Sequence, residues 1–252
     1  MSSPTVVLEK VCKSFELKSG GSIDVLDNIH LTAEKGSFVA VLGPSGSGKS
    51  TLLGVLSGVL ASDAGLVQVP PAHEIGYVFQ TARLLPWRTV SENLEITRAA
   101  RERVRGRPYS RDAEHYLAAA GLSQYADFYP SAISGGMQQR TAIARALSTE
   151  PTMLLMDEPF SALDEMTARV QRAFLQRTWL EYGSTVIFVT HNVLEAITLA
   201  SSIVVVSPRP ARVLDHIEVE IPRPRSLSDP RFGILQDKIL DLLGVAVGDQ
   251  ML

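Results

Sequence analysis

The stretch ISGGMQQR at residues 133–140 narrows the choice of fold more than any other part of the chain. A Ser-Gly-Gly triplet followed by Met-Gln-Gln-Arg has no obvious packing purpose. Upstream of it lies the glycine-rich stretch GPSGSGKS at residues 43–50, and downstream lies LLMDEP at residues 154–159. The order of these three segments decides the predicted fold and chemistry.

Residues 43–50 form a complete Walker A motif, which ends in Lys49 and Ser50. An apolar run precedes the motif and leucines at helical spacing follow it, the strand–loop–helix context that a phosphate-binding loop requires. Its glycines let backbone N–H groups converge on phosphate oxygens, helped by the positive end of the helix. Lys49 is expected to reach the β- and γ-phosphates, and the Ser50 hydroxyl to bind Mg²⁺. The alternative, a glycine-rich turn that binds nothing, is disfavoured by the complete motif in this context.

Residues 154–157 are an apolar run that ends in a carboxylate, which is the form of a Walker B strand. Asp157, at the end of a buried strand, can hold Mg²⁺. Glu158 is the next residue, and adjacent strand residues point in different directions, so Glu158 can face an attacking water. Many strands end in carboxylates, so this segment gains its meaning from the Walker A motif upstream.

The composition of the 252-residue chain is that of an ordinary globular protein, with 45% hydrophobic and 20% charged residues. A net charge of −3 gives no electrostatic footprint for nucleic acid. Cys12 is the single cysteine, so no intramolecular disulfide is possible, which fits a reducing compartment. The N-terminus lacks the regions of a signal peptide, and no apolar run of about 18 residues is present to span a membrane.

The spacing of apolar residues predicts alternating strands and helices. Continuous apolar runs at residues 153–157 and 185–190 are typical of a parallel sheet that is covered on both faces. Further strands are predicted at residues 5–11, 23–32, 37–42, 75–79 and 203–207, helices at residues 49–60, 138–147, 163–182 and 192–200, and a helix-like segment at residues 90–126. A proline-rich connector leads to a last amphipathic helix, with Phe232, Leu235, Ile239 and Leu242 on one face.

In this order the motifs resemble those of the ATP-binding cassette (ABC) ATPases, and the resemblance covers residue 5 to about residue 210. The triplet at Ser134 matches the signature motif of that family. The resemblance implies an α/β fold, a P-loop NTPase cassette with a mainly parallel RecA-like core sheet, an antiparallel β subdomain and a helical subdomain. Within a single domain at residues 1–252 it implies a core with a β lobe at about 1–90 and 148–215, a helical lobe with the signature motif at about 91–147, and a C-terminal connector and helix at 216–252.

The resemblance also implies roles for residues outside these motifs. Phe15 is expected to stack on adenine, Gln80 to match the Q-loop glutamine, and His191 to match the switch histidine. Asp164 lies in the D-loop match at residues 161–164. Taken singly, Phe15 has an alternative role as a core aromatic, Gln80 as a polar residue at a strand end, and His191 as a strand-end cap. The full ordered set of matches favours the functional roles.

The implied site residues fall into three sets. The catalytic set is Glu158, His191 and Gln80. The nucleotide-binding set is Phe15, Gly43, Pro44, Ser45, Gly46, Ser47, Gly48, Lys49, Ser50, Thr51, Ser134, Gly135, Gly136, Gln138 and Asp164. The metal-binding set is Ser50, Gln80 and Asp157. The implied cofactors are ATP and Mg²⁺.

The signature motif further implies that a second copy of the chain takes part. Ser134 and the amides of Gly135 and Gly136 would form a second anion-binding helix start. In the family this start faces the γ-phosphate that the opposite subunit binds. A head-to-tail dimer that encloses ATP between its two copies is therefore expected.

Three stretches look like the importer ATPases for nitrate, sulfonate and taurine: RLLPWRTVSENL at residues 83–94, VSPRPARV at 206–213, and IPRPR at 221–225. That branch implies a peripheral ATPase subunit at the cytoplasmic face of the inner membrane. Its partners would be transmembrane permease subunits and, indirectly, a solute-binding protein, with no nucleic acid. Leu84, Leu85 and Trp87 would form a local apolar cluster, a groove that receives a permease helix, or both.

Two other functions stay open from the sequence: a soluble ABC ATPase that acts on nucleic acid or ribosomes, and an ABC exporter ATPase. The lack of a basic stripe argues against the first.

The chain also departs from the family pattern, with Ile133 in place of leucine and Asn192 in place of aspartate. The first exchange conserves volume, and Asn192 can still cap the next helix.

Overall fold

The computed structural model describes residues 4–18, 20–106 and 108–244. The chain falls into two compact units, one formed by Met1–Val69 with Thr185–Leu252, the other by Pro70–Ser184. We call them the first and the second unit. Residues 245–252 of the predicted C-terminal segment lie outside the described residues.

An antiparallel sheet in the first unit contains β1 (Val6–Glu16), β2 (Ser22–Ala33) and β4 (Ala64–Gln68), in the order β2-β1-β4. Both long strands were predicted in part from their apolar residues. Strand β4 was not predicted, because it is short, lies at the edge of the sheet and is almost entirely exposed.

The first unit also holds four strands in the order β7-β3-β8-β9: β3 (Phe38–Leu42), β7 (Thr185–Thr190), β8 (Ser202–Val206) and β9 (Val213–Glu218). Strand β3 is parallel to β7 and to β8, whereas β9 is antiparallel to β8. Every residue of β3, β7 and β8 is buried, which explains why these strands have continuous apolar sequences. Strand β9 was missed, since its exposed residues alternate with partly buried ones and it follows a proline-rich turn.

The described part of the first unit contains three α-helices: α1 (Lys49–Leu56), α6 (Val193–Leu199) and α7 (Pro230–Leu242). Helix α1 ends at Leu56 rather than at the predicted residue 60, because the chain turns at Gly58, whose φ of 74° is left-handed. On α7 the side chains of Phe232 and Ile239 are buried, as the predicted apolar face requires.

Among its described residues the second unit contains two parallel strands, β5 (Ile75–Val78) and β6 (Met153–Asp157), and four α-helices. The helices are α2 (Val90–Arg105), α3 (Ala113–Ala119), α4 (Gly135–Leu147) and α5 (Glu165–Tyr182). The helix-like segment at residues 90–126 is thus two helices. Helix α2 begins with a capping box between Thr89 and Glu92 and ends at the left-handed Gly106.

Helix α4 begins at Gly135, not after the glycines as the sequence predicted. Ser134 is the N-cap, and its hydroxyl accepts a hydrogen bond from the Met137 N–H at 3.3 Å. Both glycines therefore belong to the first turn of the helix. Across the residues that the structure describes, no helix combines the length and the apolar character needed to cross a membrane.

Candidate functional site

The loop between β3 and α1 is shaped by glycines in left-handed conformations. Gly46 has a φ of 75° and Gly48 a φ of 113°, values that favour glycine. A Cβ atom at Gly43 would lie 2.6 Å from Val206 Cγ2, and one at Gly48 would lie 2.8 Å from Val25 Cγ1. Side chains are excluded at both places, so the backbone itself lines the loop.

The N-terminus of α1 has no side-chain cap, because its N-cap residue is Gly48. The N–H groups of the first helical turn lack intrahelical partners in any helix, and here no capping side chain takes their place. Such a start, preceded by left-handed glycines, offers backbone N–H groups of the kind that suit an anion such as phosphate.

Two polar side chains of the loop are almost fully buried. Lys49 is 5% exposed, and its Nζ donates to the carbonyl oxygens of Gly43 at 2.9 Å and Pro44 at 2.8 Å. Ser47 is 1% exposed, and its hydroxyl has no hydrogen-bond partner among the described residues. The other hydroxyl side chains of the loop and of the start of α1 are less buried: Ser45 and Ser50 are exposed, and Thr51 is half-buried.

His191 lies at the same edge of the sheet as this loop. Leu42, the last residue of β3, is opposite Thr190, the last residue of β7, in a parallel register. Asn192 caps α6, as predicted, by accepting hydrogen bonds from the N–H groups of Leu194 at 2.9 Å and Glu195 at 3.3 Å. The backbone after His191 is thus fixed, while the imidazole is exposed.

Phe15 lies on β1, and 39% of its surface is exposed. The ammonium group of Lys13 is 5.5 Å from the centre of its ring. Lys13 also pairs with Asp63 at 2.6 Å, and this bond holds the pKa of the Asp63 carboxyl below its usual range. The structure therefore places Phe15 on the surface of the antiparallel sheet, where a planar ligand has access to its ring.

The predicted carboxylates lie in the second unit, at the end of β6. Asp157 ends the strand, and Glu158 has a left-handed backbone with a φ of 42°. The Ser161 hydroxyl donates to the Glu158 carbonyl at 3.0 Å and accepts from Gln80 Nε2 at 3.1 Å. Ser161 thereby links Gln80 to Glu158, a connection between distant segments that the sequence did not reveal.

Tyr77, on β5, is a further member of this group. Burial raises the pKa of the Tyr77 hydroxyl to about 12, and the negative charge of Asp157 adds to the shift. The sequence offered no sign that Tyr77 and Asp157 are neighbours, because Tyr77 is simply one residue of a short strand.

The Ser-Gly-Gly triplet contains two glycines in different surroundings. A Cβ atom at Gly135 would meet nothing within 4 Å, whereas one at Gly136 would lie 2.8 Å from Thr167 Cγ2 on α5. The Gly136 carbonyl also accepts a hydrogen bond from Gln171 Nε2 at 2.9 Å. Packing against α5 thus explains Gly136, but nothing within the described chain explains Gly135.

Two other predicted site residues have structural partners. Gln138 Nε2 donates to the carbonyl oxygens of Pro130 at 3.0 Å and Ile133 at 3.3 Å, so it holds the turn that precedes α4. Asp164 is the N-cap of α5 and accepts from the Thr167 N–H at 3.0 Å, which lowers the pKa of its carboxyl. Thr167 therefore lies beside both Asp164 and Gly136.

The predicted site residues thus form three groups. The first unit brings together the phosphate-binding loop and His191 at one sheet edge, with Phe15 on its antiparallel sheet. In the second unit, Gln80 is linked to Glu158, next to Asp157 at the end of β6. Also in the second unit, the triplet at Ser134 packs on α5 near the cap residue Asp164.

Known proteins resemble the chain along most of its length. A family model described as ABC transporter matches residues 26–161. The aliphatic sulfonates import ATP-binding protein SsuB of Bacillus cereus is 39% identical over 243 residues, which cover 94% of each chain. A putative ATP-binding protein of Brucella abortus is 40% identical over 234 residues, which cover 88% of each chain.

Solved structures have the same fold. The ATP-binding cassette MJ0796, in a dimeric post-hydrolysis state bound to ADP and Pi, matches with a TM-score of 0.72 and 31% identity. The match covers 85% of this chain and 98% of that one. It confirms the predicted fold class.

Proposed function

The chain belongs to the ABC transporter family, and we propose that it is the subunit whose ATP hydrolysis energises a membrane importer of small solutes such as sulfonates. The resemblance predicted from the motifs is confirmed, and the chain is an ATPase of this family. The observation that carries the assignment is the phosphate-binding loop, with its left-handed Gly48 and the uncapped start of α1. The importer role is supported by the sulfonate import proteins among its relatives.

The residues of the loop fit the triphosphate of ATP. Lys49 would exchange the carbonyl oxygens of Gly43 and Pro44 for phosphate oxygens, and the amides of α1 would donate to the same phosphates. The buried Ser47 hydroxyl is a free donor within the described loop. Phe15, with 39% of its surface exposed, would stack on the adenine.

Mg²⁺ would be held by the hydroxyl of Ser50, the amide oxygen of Gln80 and the carboxylate of Asp157, since this ion prefers oxygen ligands. When bound, Mg²⁺ would neutralise charge on the β- and γ-phosphate oxygens.

Hydrolysis would then depend on positioning and on the stabilisation of charge. The Glu158 carboxylate would accept a proton from a water molecule that attacks the γ-phosphorus, and the bond to the oxygen bridging the β- and γ-phosphates would break. The left-handed backbone at Glu158 and the Ser161 link to Gln80 would fix the direction of that carboxylate. His191 would hold the water and the γ-phosphate in line.

The signature triplet would serve the ATP bound by a second copy of the chain. Gly135 is exposed, and no described residue occupies the space that its side chain would fill. An approach of phosphate from outside the chain would account for a glycine there. The dimeric state of the solved cassette MJ0796 supports a head-to-tail pair.

Permease subunits would dock on the segment that follows Gln80. Trp87 is 69% exposed, while Leu84 and Leu85 are half-buried. Asn93 accepts a hydrogen bond from the Leu85 N–H at 2.8 Å and donates to its carbonyl at 3.2 Å, so the segment is held in place below an exposed tryptophan. A fixed apolar side chain at the surface suits a helix of a membrane partner. The chain would thus lie at the membrane as a peripheral subunit, with a solute-binding protein engaged only through the permease.

The Glu158→Gln variant tests the hydrolytic role. We expect it to bind ATP with wild-type affinity and to lose steady-state hydrolysis by a factor of at least about a hundred, because the proton acceptor is gone. The Glu95→Gln variant, which alters an exposed glutamate on α2, is the matched control. Hydrolysis by Glu158→Gln at the rate of this control would refute the assignment.

A further inference from the structure

We infer that Arg209 is a positioning residue for the phosphate-binding loop and that residues 207–212, which we call the strap, tie this loop to β2. The inference rests on the proposed function, since it concerns the loop that would bind ATP. Arg209 lies far from the loop in sequence, and no motif of the chain includes it in a nucleotide site.

The contact is a hydrogen bond at the apex of the loop. Arg209 Nη2 donates to the Gly46 carbonyl oxygen at 3.0 Å. A Cβ atom at Gly46 would meet nothing within 4 Å, so side-chain packing does not hold the apex on that side. Since a peptide unit is planar, fixing the Gly46 carbonyl also fixes the direction of the Ser47 N–H, which donates to the Pro44 carbonyl oxygen at 3.3 Å within the loop.

Internal hydrogen bonds give the strap a defined shape. The Ser207 N–H donates to the Arg212 carbonyl at 2.9 Å, and the Ser207 hydroxyl accepts from the Arg212 N–H at 3.0 Å. The same hydroxyl lies 2.9 Å from the Pro208 carbonyl oxygen and 3.0 Å from the Pro210 carbonyl oxygen, so it can donate its proton to either one. Arg209 therefore extends from a closed turn rather than from a free loop.

The base of the strap is fixed to β2. The Ala211 N–H donates to the Val25 carbonyl, and the Asp27 N–H donates to the Ala211 carbonyl, both at 2.9 Å. Arg212 Nε also donates to Asp27 Oδ2 at 2.7 Å, but this pair is largely exposed, and the two backbone bonds of Ala211 hold the base of the strap without it. The position of Arg209 is thus set by a strand of the antiparallel sheet.

The strap and β2 hold the phosphate-binding loop from several sides. Val206, the residue before the strap, packs against Gly43, and Val25 of β2 packs against Gly48. Strand β2 also pairs with β1, where Phe15 is opposite Ile23. The elements that would bind the phosphates and the adenine are therefore connected through the strap. Release of Arg209 would free the apex of the loop without disturbing β2.

A second explanation for any effect of Arg209 is its charge alone, which would attract ATP at a distance. The neighbouring Arg212 separates the two explanations, because it carries the same charge on the same strap, is also exposed and contacts Asp27 instead of the loop. Long-range attraction between exposed charges is screened at high salt, whereas a direct hydrogen bond is screened less.

The test is calorimetric titration of ATP into the wild type and the Arg209→Ala, Arg209→Lys and Arg212→Ala variants, at low and at high salt. We expect Arg209→Ala to weaken ATP binding about threefold to tenfold at both salt concentrations, the value of one hydrogen bond. Arg209→Lys should recover part of the loss, since an ammonium group can still donate to Gly46. Arg212→Ala should bind ATP within about twofold of the wild type.

A role in positioning also requires that the fold and the chemical step are spared. Thermal unfolding of nucleotide-free Arg209→Ala should match the wild type, and kcat at saturating ATP should change much less than KM. Wild-type affinity in Arg209→Ala, or an equal loss in Arg212→Ala that vanishes at high salt, would overturn the inference. Failure of the wild type itself to bind ATP would instead refute the proposed function.

Discussion

The Gly135→Ala variant should keep its stability and lose its turnover, because the structure leaves its side-chain space empty and the proposed dimer fills it. The adjacent Gly136→Ala variant should lose stability. The two substitutions add the same methyl group to consecutive residues in the first turn of α4. Their comparison therefore separates a glycine required by the chain itself from one required by a partner.

The magnitudes follow from the surroundings of each glycine. At Gly135 an added Cβ meets nothing within 4 Å, and alanine favours a helix over glycine by up to about 1 kcal/mol in its interior and by less in the first turn. The free energy of unfolding of Gly135→Ala should thus be unchanged or about 0.5 kcal/mol higher.

At Gly136 the added Cβ would lie 2.8 Å from Thr167 Cγ2, where two carbon atoms prefer about 3.5–4.0 Å. Thr167 cannot rotate away without cost, because its side chain and its N–H both bond to Asp164. Overpacking of this kind costs about 1–3 kcal/mol, and the gain in helix propensity offsets part of it. We expect the free energy of unfolding of Gly136→Ala to be about 1–2 kcal/mol lower than that of the wild type.

Denaturant unfolding, calorimetric ATP binding and steady-state hydrolysis together provide the assay. Gly135→Ala should bind ATP with wild-type affinity, because its own phosphate-binding loop is intact. Its hydrolysis should fall by about a hundredfold or more, because the added methyl group would hold the γ-phosphate bound by the second copy away from the amides of the triplet, which has the effect of losing a preorganised donor. Wild-type turnover in Gly135→Ala would refute the approach of a second nucleotide to this glycine. Wild-type stability in Gly136→Ala would refute the packing argument.

Two further predictions concern stability. Arg225 donates to the carbonyl oxygens of Ile197 at 2.6 Å and Ala200 at 2.5 Å at the end of α6, and burial lowers the pKa of its guanidinium to about 10. Since Arg225→Met leaves these carbonyl oxygens without their donor, it should lower the free energy of unfolding by about 2–4 kcal/mol. The exposed Arg231→Met is the control, with a change below about 0.5 kcal/mol, and equal changes in the two variants would contradict the assignment. Acid should also destabilise the fold, because hydrogen bonds to Lys13 and Thr167 depress the folded-state pKa of Asp63 and Asp164 below the ordinary 3.8. A carboxyl group whose pKa is depressed in the folded state stabilises the fold above about pH 4, and this stabilisation is lost as the pH falls through the folded-state pKa. Unfolding measured from about pH 5 to 2.5 should therefore show a decline in the free energy of unfolding, and Asp63→Asn should make that decline shallower.

The sequence predicted elements well where burial alone determines the residue pattern. Strands β3, β6 and β7 are continuous apolar runs, and the predicted bounds agree with the structure to within one residue. Strand β4 was not predicted, because an exposed strand at the edge of a sheet buries few side chains and therefore has no apolar pattern in its sequence. The predicted start of α4 was wrong because glycine is a poor helix former, whereas in the structure the cap supplied by Ser134 outweighs that low propensity.

The candidate site shows a similar division. The motifs named its residues because each is a local arrangement of chemical groups around a strand end or a helix start. The links that orient those residues are not local: Ser161 joins Gln80 to Glu158, and Arg209 contacts Gly46 from across the chain. The left-handed backbone of Glu158 is likewise set by the tertiary structure, since no pattern in the sequence requires it.

The proposed dimer makes one further prediction, which can be tested only by mixing two variants. In a two-fold dimer each site would combine the loop and Glu158 of one copy with Gly135 of the other, because residue i of one copy contacts residue j of its partner and the reverse. Gly135→Ala and Glu158→Gln homodimers should therefore both be inactive. When the two variants are mixed, each mixed dimer keeps one intact site, formed by the Glu158 of one chain and the Gly135 of the other. Equal mixing gives about half mixed dimers, so hydrolysis should recover to roughly a quarter of the wild-type rate. If Gly135 served the ATP of its own chain, every site in the mixture would carry a defect and no activity would return.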